Sequence, residues 1–531
     1  MPAGSPLDRA PRWRLPAIVA LALLCRGVAW QRAEAMMNDG PTFLALARGF
    51  AAGEWAGGFA HAFHPLYPLA IAAVKPAFAD WETAAAAVSI LSGGVAVIAL
   101  HAFVRSAFGV GTAWVAALLL AVHPYAVPFS GDIQSEGVYM AAFLAALALG
   151  WRALRSRRVG DALLAGAGVG LAYLARPEGI GVAAVIGAMV GLGVLRRDWG
   201  LRPAAGFAVA FTLGLAIVAG PYLAAVAQEA GGPTLTRKKS ASALLQLETQ
   251  PTGRYESSAE TREMEARGLS TEGAPRGHNR QRPGQPSPQG LLAQAAELLE
   301  TVKHAFRPDQ LILVALGLFA AWGRPGPRAI YLGLMTLAYG FVLMALLASA
   351  GYVSMRHVLP PMLPLLAYAA LGIGVFGRGL MAIPSKLRGR PVPARVGFSL
   401  ALVLVLLAST IMATRPRRED RAAVRAAAEL FASQPLDPER ISSAKLRDAY
   451  YAGADWKSLP RETGDLRWMR SLRRRDIRYV IVDERHAERY PGLGADGSES
   501  ARLLHRVEQG GRWAAVYEIQ SPPAAATEEG P

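Results

Sequence analysis

The chain has 531 residues, 52% of them hydrophobic, with a mean hydropathy of +0.25 and a formal net charge of +16. Apolar runs long enough for a helix to span a bilayer recur along it, which excludes a soluble protein and marks an integral membrane protein. The positive charge does not imply nucleic acid, because the arginines cluster in short loops between apolar runs, where they orient a membrane protein. The one cysteine, Cys25, lies inside the first apolar run, so any domain outside the cytoplasm folds without an intrachain disulfide.

The chain opens MPAGSPLDRAPRWR before an apolar run at 15–30. No small-residue cleavage site is obvious and many more spans follow, so this run is expected to be an uncleaved first helix and not a signal peptide. Further spans are expected at 82–105, 110–129, 133–152, 161–175, 178–195, 203–228, 308–322, 329–350, 357–376 and 396–413, about eleven in all. The run 64–78 (HPLYPLAIAAVKPAF) is short and carries three prolines and Lys75. If it does not cross, the basic loops 151–161, 196–202, 323–328 and 377–395 all fall inside, as the positive-inside rule prefers. The segment is therefore expected to lie at the interface or re-enter, with the N-terminus cytoplasmic and the C-terminus outside. The outer face then carries a long first loop (31–81), turns near 130–136 and 176–178, a large loop (229–307) and the tail after 413.

Within the large loop, residues 251–290 are poor in apolar residues and rich in Pro, Gly, Ser and Arg, a composition expected to be disordered. It closes with LLAQAAELLETVKHAF (291–306), where Leu291, Ala295, Leu298, Val302 and Phe306 recur at helical spacing and suit a helix lying on the membrane. The tail 414–531 reads as a small extracytoplasmic α/β domain behind a transmembrane domain 1–413. Residues 420–431 and 501–508 look helical, and 478–484 and 513–519 look like strands. No internal repeat is evident.

Several polar groups fall on the expected outer face. Asp39 follows the first span in MMNDGPTFLALARGF; it is either a general base or cation ligand at the membrane surface, or the N-cap of the next helix. Asp132 and Glu136 are four apart, so on a helix they would share a face, as functional carboxylates or as partners of a helix dipole. Arg176 and Glu178 sit at a turn between spans, and Arg356 and His357 open a late span. Arginine suits a phosphate because its planar fork donates in pairs, although arginines near helix ends also anchor at the interface. His64, Lys238 and Lys239 are further candidates. No P-loop, GxGxxG after a strand, CxxC pair or HExxH occurs, so nothing points to nucleotide phosphates or to a zinc site, and a divalent cation is possible without a ligand pattern to mark it.

The order of NDGPTFLALARGF (38–50), HPLYPLAIA (64–72), HPYAVPFSGDIQSEGVYM (123–140), LAYLARPEGIG (171–181), PYLAAVAQEAGGPTLTRKKS (221–240) and RHVLPPMLPLLAYAALG (356–372) resembles the GT-C superfamily of membrane glycosyltransferases. The likeness is to the bacterial glycosyltransferase family 39 group, related to protein O-mannosyltransferases and the lipid A aminoarabinose transferase. That resemblance implies a mainly α, polytopic GT-C fold and an inverting enzyme of the bacterial inner membrane. It also implies a polyprenyl-phosphate sugar donor, a protein, lipid or glycan hydroxyl as acceptor, and no nucleic acid. It puts the first-loop acid on Asp39, favouring a catalytic role there, a second acid on Glu136, and a phosphate-binding base on Arg356, with Arg176 and Lys238–Lys239 as helpers. The chain departs from the family in its single Pro65 after His64 and in His357 after Arg356. The alternatives are a transporter or flippase of lipid-linked sugars, and a surface-glycan polymerase or ligase.

Overall fold

The computed structural model describes residues 13–236 and 290–520 apart from 324–325, 351–352, 389–392, 437–439, 461–466, 491–492, 494–496 and 499. The segment expected to be disordered lies outside the described residues except for Gly290, and so do Lys238 and Lys239. The fold is mainly helical with a small C-terminal sheet. Among the described residues, eight helices are long and apolar enough to cross a membrane: Arg14–Gln31, Trp81–Phe108, Glu136–Ser156, Pro177–Leu195, Leu201–Ala230, Pro327–Ala348, Met355–Ala382 and Ala394–Ala413. The other three expected spans form apolar helices of 12, 17 and 13 residues, Val110–Ala121, Val159–Ala175 and Pro308–Ala320. At 1.5 Å per residue they are shorter than a hydrocarbon core of about 30 Å. The run at 64–78 folds as Leu66–Val74 followed by a 3-10 turn at Lys75–Ala77, again short of a full crossing.

The chain divides into two compact units. The first contains Phe43–Pro251 and Gly273–Arg415; the second joins Gln31–Thr42 to Pro416–Pro531. Within the first, helices with no hydrophobic force between them in lipid pack through small residues. Gly166 and Gly214 let Val159–Ala175 lie against the backbone of Leu201–Ala230, since a Cβ at either would overlap a carbonyl of the other helix. Gly317 and Gly372 do the same for Pro308–Ala320 and Leu366–Arg388. Arg26 ties the first helix in. Fully buried, it donates from Nε to Ser130 Oγ (2.7 Å) and from Nη1 to the carbonyls of Ala22 (2.9 Å) and Ala121 (3.2 Å). Gly93 leaves the room that this side chain fills.

In the second unit five strands form a sheet in the order β2-β1-β3-β5-β4: β1 Arg440–Ser443, β2 Asp455–Ser458, β3 Tyr479–Asp483, β4 Ala501–Gln509 and β5 Arg512–Ile519. β1 pairs in parallel with β2 and β3, while β5 runs antiparallel to β3 and β4. The expected helix at 420–431 forms as Ala422–Ala432, and both expected strands form. Residues 501–508 correct the sequence reading: they are strand β4 and not a helix. Leu503, Leu504 and Val507 have helical spacing, but a tight turn at Gly510–Gly511, both at positive φ, folds the segment back on β5. The tertiary partner overrides the local pattern. A core of Trp468, Leu472, Val480, Val482, Ala515 and Tyr517 fills this unit.

Gly317→Ala is expected to force two backbones apart and to lower thermal stability in detergent, at a cost of about 1–3 kcal/mol. Gly187, with no neighbouring atom within 4 Å of where an added methyl would stand, should accept alanine without loss. Melting curves of the two variants check this.

Candidate active site

Three elements of the first unit bring one acid and two arginines together. Glu136 is the first residue of the helix Glu136–Ser156. Arg176 ends the helix Val159–Ala175 in an extended conformation, as the following Pro177 requires, and a 3-10 turn Pro177–Ile180 then presents Glu178. Arg356 is the second residue of the helix Met355–Met362. Arg176 Nη1 donates to Glu136 Oε1 at 2.7 Å, and Arg356 Nη1 lies 3.6 Å from the same oxygen. Arg176 Nε is 3.6 Å from Glu178 Oε2. Glu136, Arg176 and Arg356 are 3%, 5% and 7% exposed, so water screens little of their mutual field. Glu136 Oε2 has no hydrogen-bond donor among the described residues.

Burial works against the charge on Arg176, but Glu178 and Glu136 outweigh it and raise its pKa above the ordinary value for arginine. Two aromatic residues that the sequence reading did not single out complete the setting. The Tyr139 ring lies 5.7 Å from the Arg176 guanidinium, and Tyr339 donates its hydroxyl to the Glu178 carbonyl at 2.9 Å. Tyr139 follows Glu136 by three residues on a helix, so its presence on that face was readable from spacing.

The other candidates do different work. His357 is a capping residue: its Nδ1 accepts from the Ser354 backbone N–H at 3.2 Å and lies 2.9 Å from Ser354 Oγ, fixing the start of the helix that carries Arg356. His64 Nδ1 donates to the Tyr173 carbonyl at 2.6 Å, which leaves Nε2, 3.3 Å away, to accept from Thr236 Oγ1. Tyr173 also donates its hydroxyl to the Leu235 carbonyl, so His64 and Tyr173 together anchor the chain just before Lys238 and Lys239. Asp132 does not share a helix face with Glu136, because it precedes the helix that Glu136 starts; it is buried in a turn and accepts from the Ile133 N–H at 2.8 Å.

Asp39 belongs to the second unit, immediately before the helix Gly40–Ala51, and is 8% exposed. Its neighbour Asn38 is equally enclosed, and Asn38 Oδ1 has no hydrogen-bond partner among the described residues. Among the described residues no three His, Cys, Asp or Glu side chains gather as a metal site requires.

Glu136→Gln is expected to leave two buried guanidiniums against a neutral amide, costing about 3–5 kcal/mol as for other broken buried pairs. Glu300→Gln, which loosens a solvent-exposed pair with Lys303, should leave the melting temperature close to that of the parent. Parallel melting curves provide the comparison.

Residues 61–223 match the family model of dolichyl-phosphate-mannose-protein mannosyltransferases, a segment that contains Glu136, Arg176 and Glu178. No curated protein sequence matches the chain. Among solved structures, the chain is similar to ArnT from Cupriavidus metallidurans bound to undecaprenyl phosphate, with 14% identity, 96% of this chain and 98% of that chain covered, and a TM-score of 0.55. It is similar also to the oligosaccharyltransferase AglB from Archaeoglobus fulgidus in complex with an inhibitory peptide and a dolichol-phosphate, with 13% identity, 95% and 74% covered, and a TM-score of 0.55. The chain therefore has the GT-C fold of membrane glycosyltransferases, and its sequence likeness to the mannosyltransferase family model extends over residues 61–223.

Proposed function

We propose that the protein is an inverting glycosyltransferase that moves a sugar from a polyprenyl phosphate to an acceptor hydroxyl on the non-cytoplasmic side of a bacterial inner membrane. The observation that carries this reading is the buried grouping of Arg176 and Arg356 on the single carboxylate oxygen Glu136 Oε1. A membrane protein bears the cost of buried arginines where they serve a function, and a lipid phosphate needs such donors at the bilayer boundary. The likeness to proteins solved with undecaprenyl phosphate and dolichol-phosphate supports the same donor class. The basic loops between spans support the outward-facing assignment, with the N-terminus cytoplasmic and the C-terminal unit outside.

In this reading the acceptor oxygen bonds to the anomeric carbon as the bond from that carbon to the phosphate oxygen breaks on the opposite face. Asp39 takes the acceptor's proton, and the lipid phosphate leaves with the bonding electrons. Arg356, helped by Arg176, neutralises the charge that develops on the phosphate. Glu136 holds both guanidiniums in place, and its Oε2 is available to a substrate hydroxyl. Lys238 and Lys239, next to the anchored Leu235–Thr236, are further phosphate partners. The acceptor is a hydroxyl of a protein, lipid or glycan.

Asp39→Asn preserves size and capping ability while deleting the basic oxygen. Turnover of a radiolabelled undecaprenyl-phosphate sugar is expected to fall by about two to four orders of magnitude with the protein still folded. Near-parent turnover would mean that Asp39 only caps its helix.

Arg356→Lys replaces a bidentate fork with one compact charge. A grip that tightens as the phosphate leaves predicts that kcat falls about tenfold or more while donor affinity changes less. Unchanged kcat would remove Arg356 from the phosphate site.

A further inference from the structure

We propose that Arg447 and Tyr451, in the C-terminal unit, are positioning residues for Asp39, a role that rests on the catalytic reading of that acid. The first-loop segment Gln31–Thr42 belongs to the same compact unit as the C-terminal domain, far away in sequence. Its attachment is made by side chains gripping its backbone. The Met36 N–H donates to the Tyr451 hydroxyl at 2.8 Å, and Arg447 Nη1 donates to the Met36 carbonyl at 3.1 Å. Residues 447 and 451 stand four apart on the helix Leu446–Tyr451 and so share a face.

The grip extends upstream. Arg425 Nη1 donates to the Glu34 carbonyl at 3.2 Å, and its guanidinium lies 4.8 Å from the centre of the Tyr451 ring. The Glu34 N–H donates to the Arg417 carbonyl, and the Arg417 N–H to the Arg32 carbonyl, both at 3.1 Å. Downstream, the Gly40 N–H donates to the Met37 carbonyl at 2.9 Å, closing a turn that contains Asn38 and Asp39. Both polar groups of Met36 are thus held, which fixes the peptide planes on either side of it, and the next three residues are fixed by the turn. The backbone that leads into Asp39 is held by Arg447 and Tyr451, more than four hundred residues away in sequence.

A general base needs this control, because a misplacement of about 1 Å can cost a factor of about 100 in rate. Arg447 suits this role because it is buried, and Asp448 beside it at 3.9 Å helps to hold its charge.

Tyr451→Phe removes the hydroxyl and keeps the ring under Arg425. Hydrogen exchange should show faster exchange at Met36 and through residues 37–40, with the sheet of the same unit unchanged. Turnover is measured with undecaprenyl-phosphate hexoses and pentoses, choosing one that the parent uses, and is expressed per bound donor so that unfolded protein drops out. It should fall about tenfold to a hundredfold with donor KM within about twofold. Arg447→Met should behave likewise, and Arg447→Lys, which can still donate to the Met36 carbonyl, should recover part of the loss. Parent-like exchange at 36–40, or parent-like kcat in Tyr451→Phe, overturns the proposal. If Asp39→Asn is itself fully active, the catalytic reading fails instead; if Asp39→Asn is inactive and Tyr451→Phe is not, only the positioning role fails.

Discussion

One carboxylate oxygen, Glu136 Oε1, is shared by two buried arginines, and the architecture of the first unit is arranged to make that possible. A lone buried carboxylate or a lone buried guanidinium carries a desolvation cost of several kcal/mol, so neither is stable there without the other. The three helices that contribute must therefore begin or end at the same level. Pro177 ends one of them by forcing Arg176 out of helical conformation, and the Ser354–His357 pair starts another one residue before Arg356. Glycine contacts between helices hold the surrounding frame rigid enough for those ends to stay in register.

Charge balance follows from the same arrangement. Arg176 is shared between Glu136 and Glu178, so its charge is already matched within the protein. Arg356 sits at the longer distance from Glu136.

Much of this was legible in the sequence. Apolar runs marked the helices because a bilayer imposes one length and one composition. One length was less readable: Val110–Ala121 stops just before His123, well inside the expected span 110–129, because hydropathy smooths over the polar HPY segment. Glu136, Arg176 and Arg356 were visible as ionisable groups at span ends, but their convergence on one oxygen was not, since it depends on tertiary packing. Tyr139 was within reach of periodicity. The hold of Arg447 and Tyr451 on Met36 was not, because backbone hydrogen bonds across such a separation leave no local pattern. The strand at Ala501–Gln509 failed for the opposite reason, a helical pattern defeated by its partner strand.

Bond cleavage and transfer distinguish the proposed enzyme from a transporter of intact lipid-linked sugar. The most direct test is to incubate the purified protein with an undecaprenyl-phosphate sugar labelled at the anomeric carbon and to follow that carbon by NMR. The account predicts one lipid phosphate released per sugar transferred and a product of inverted anomeric configuration. Donor that stays intact while crossing a vesicle membrane, or product that retains the donor's configuration, would contradict it.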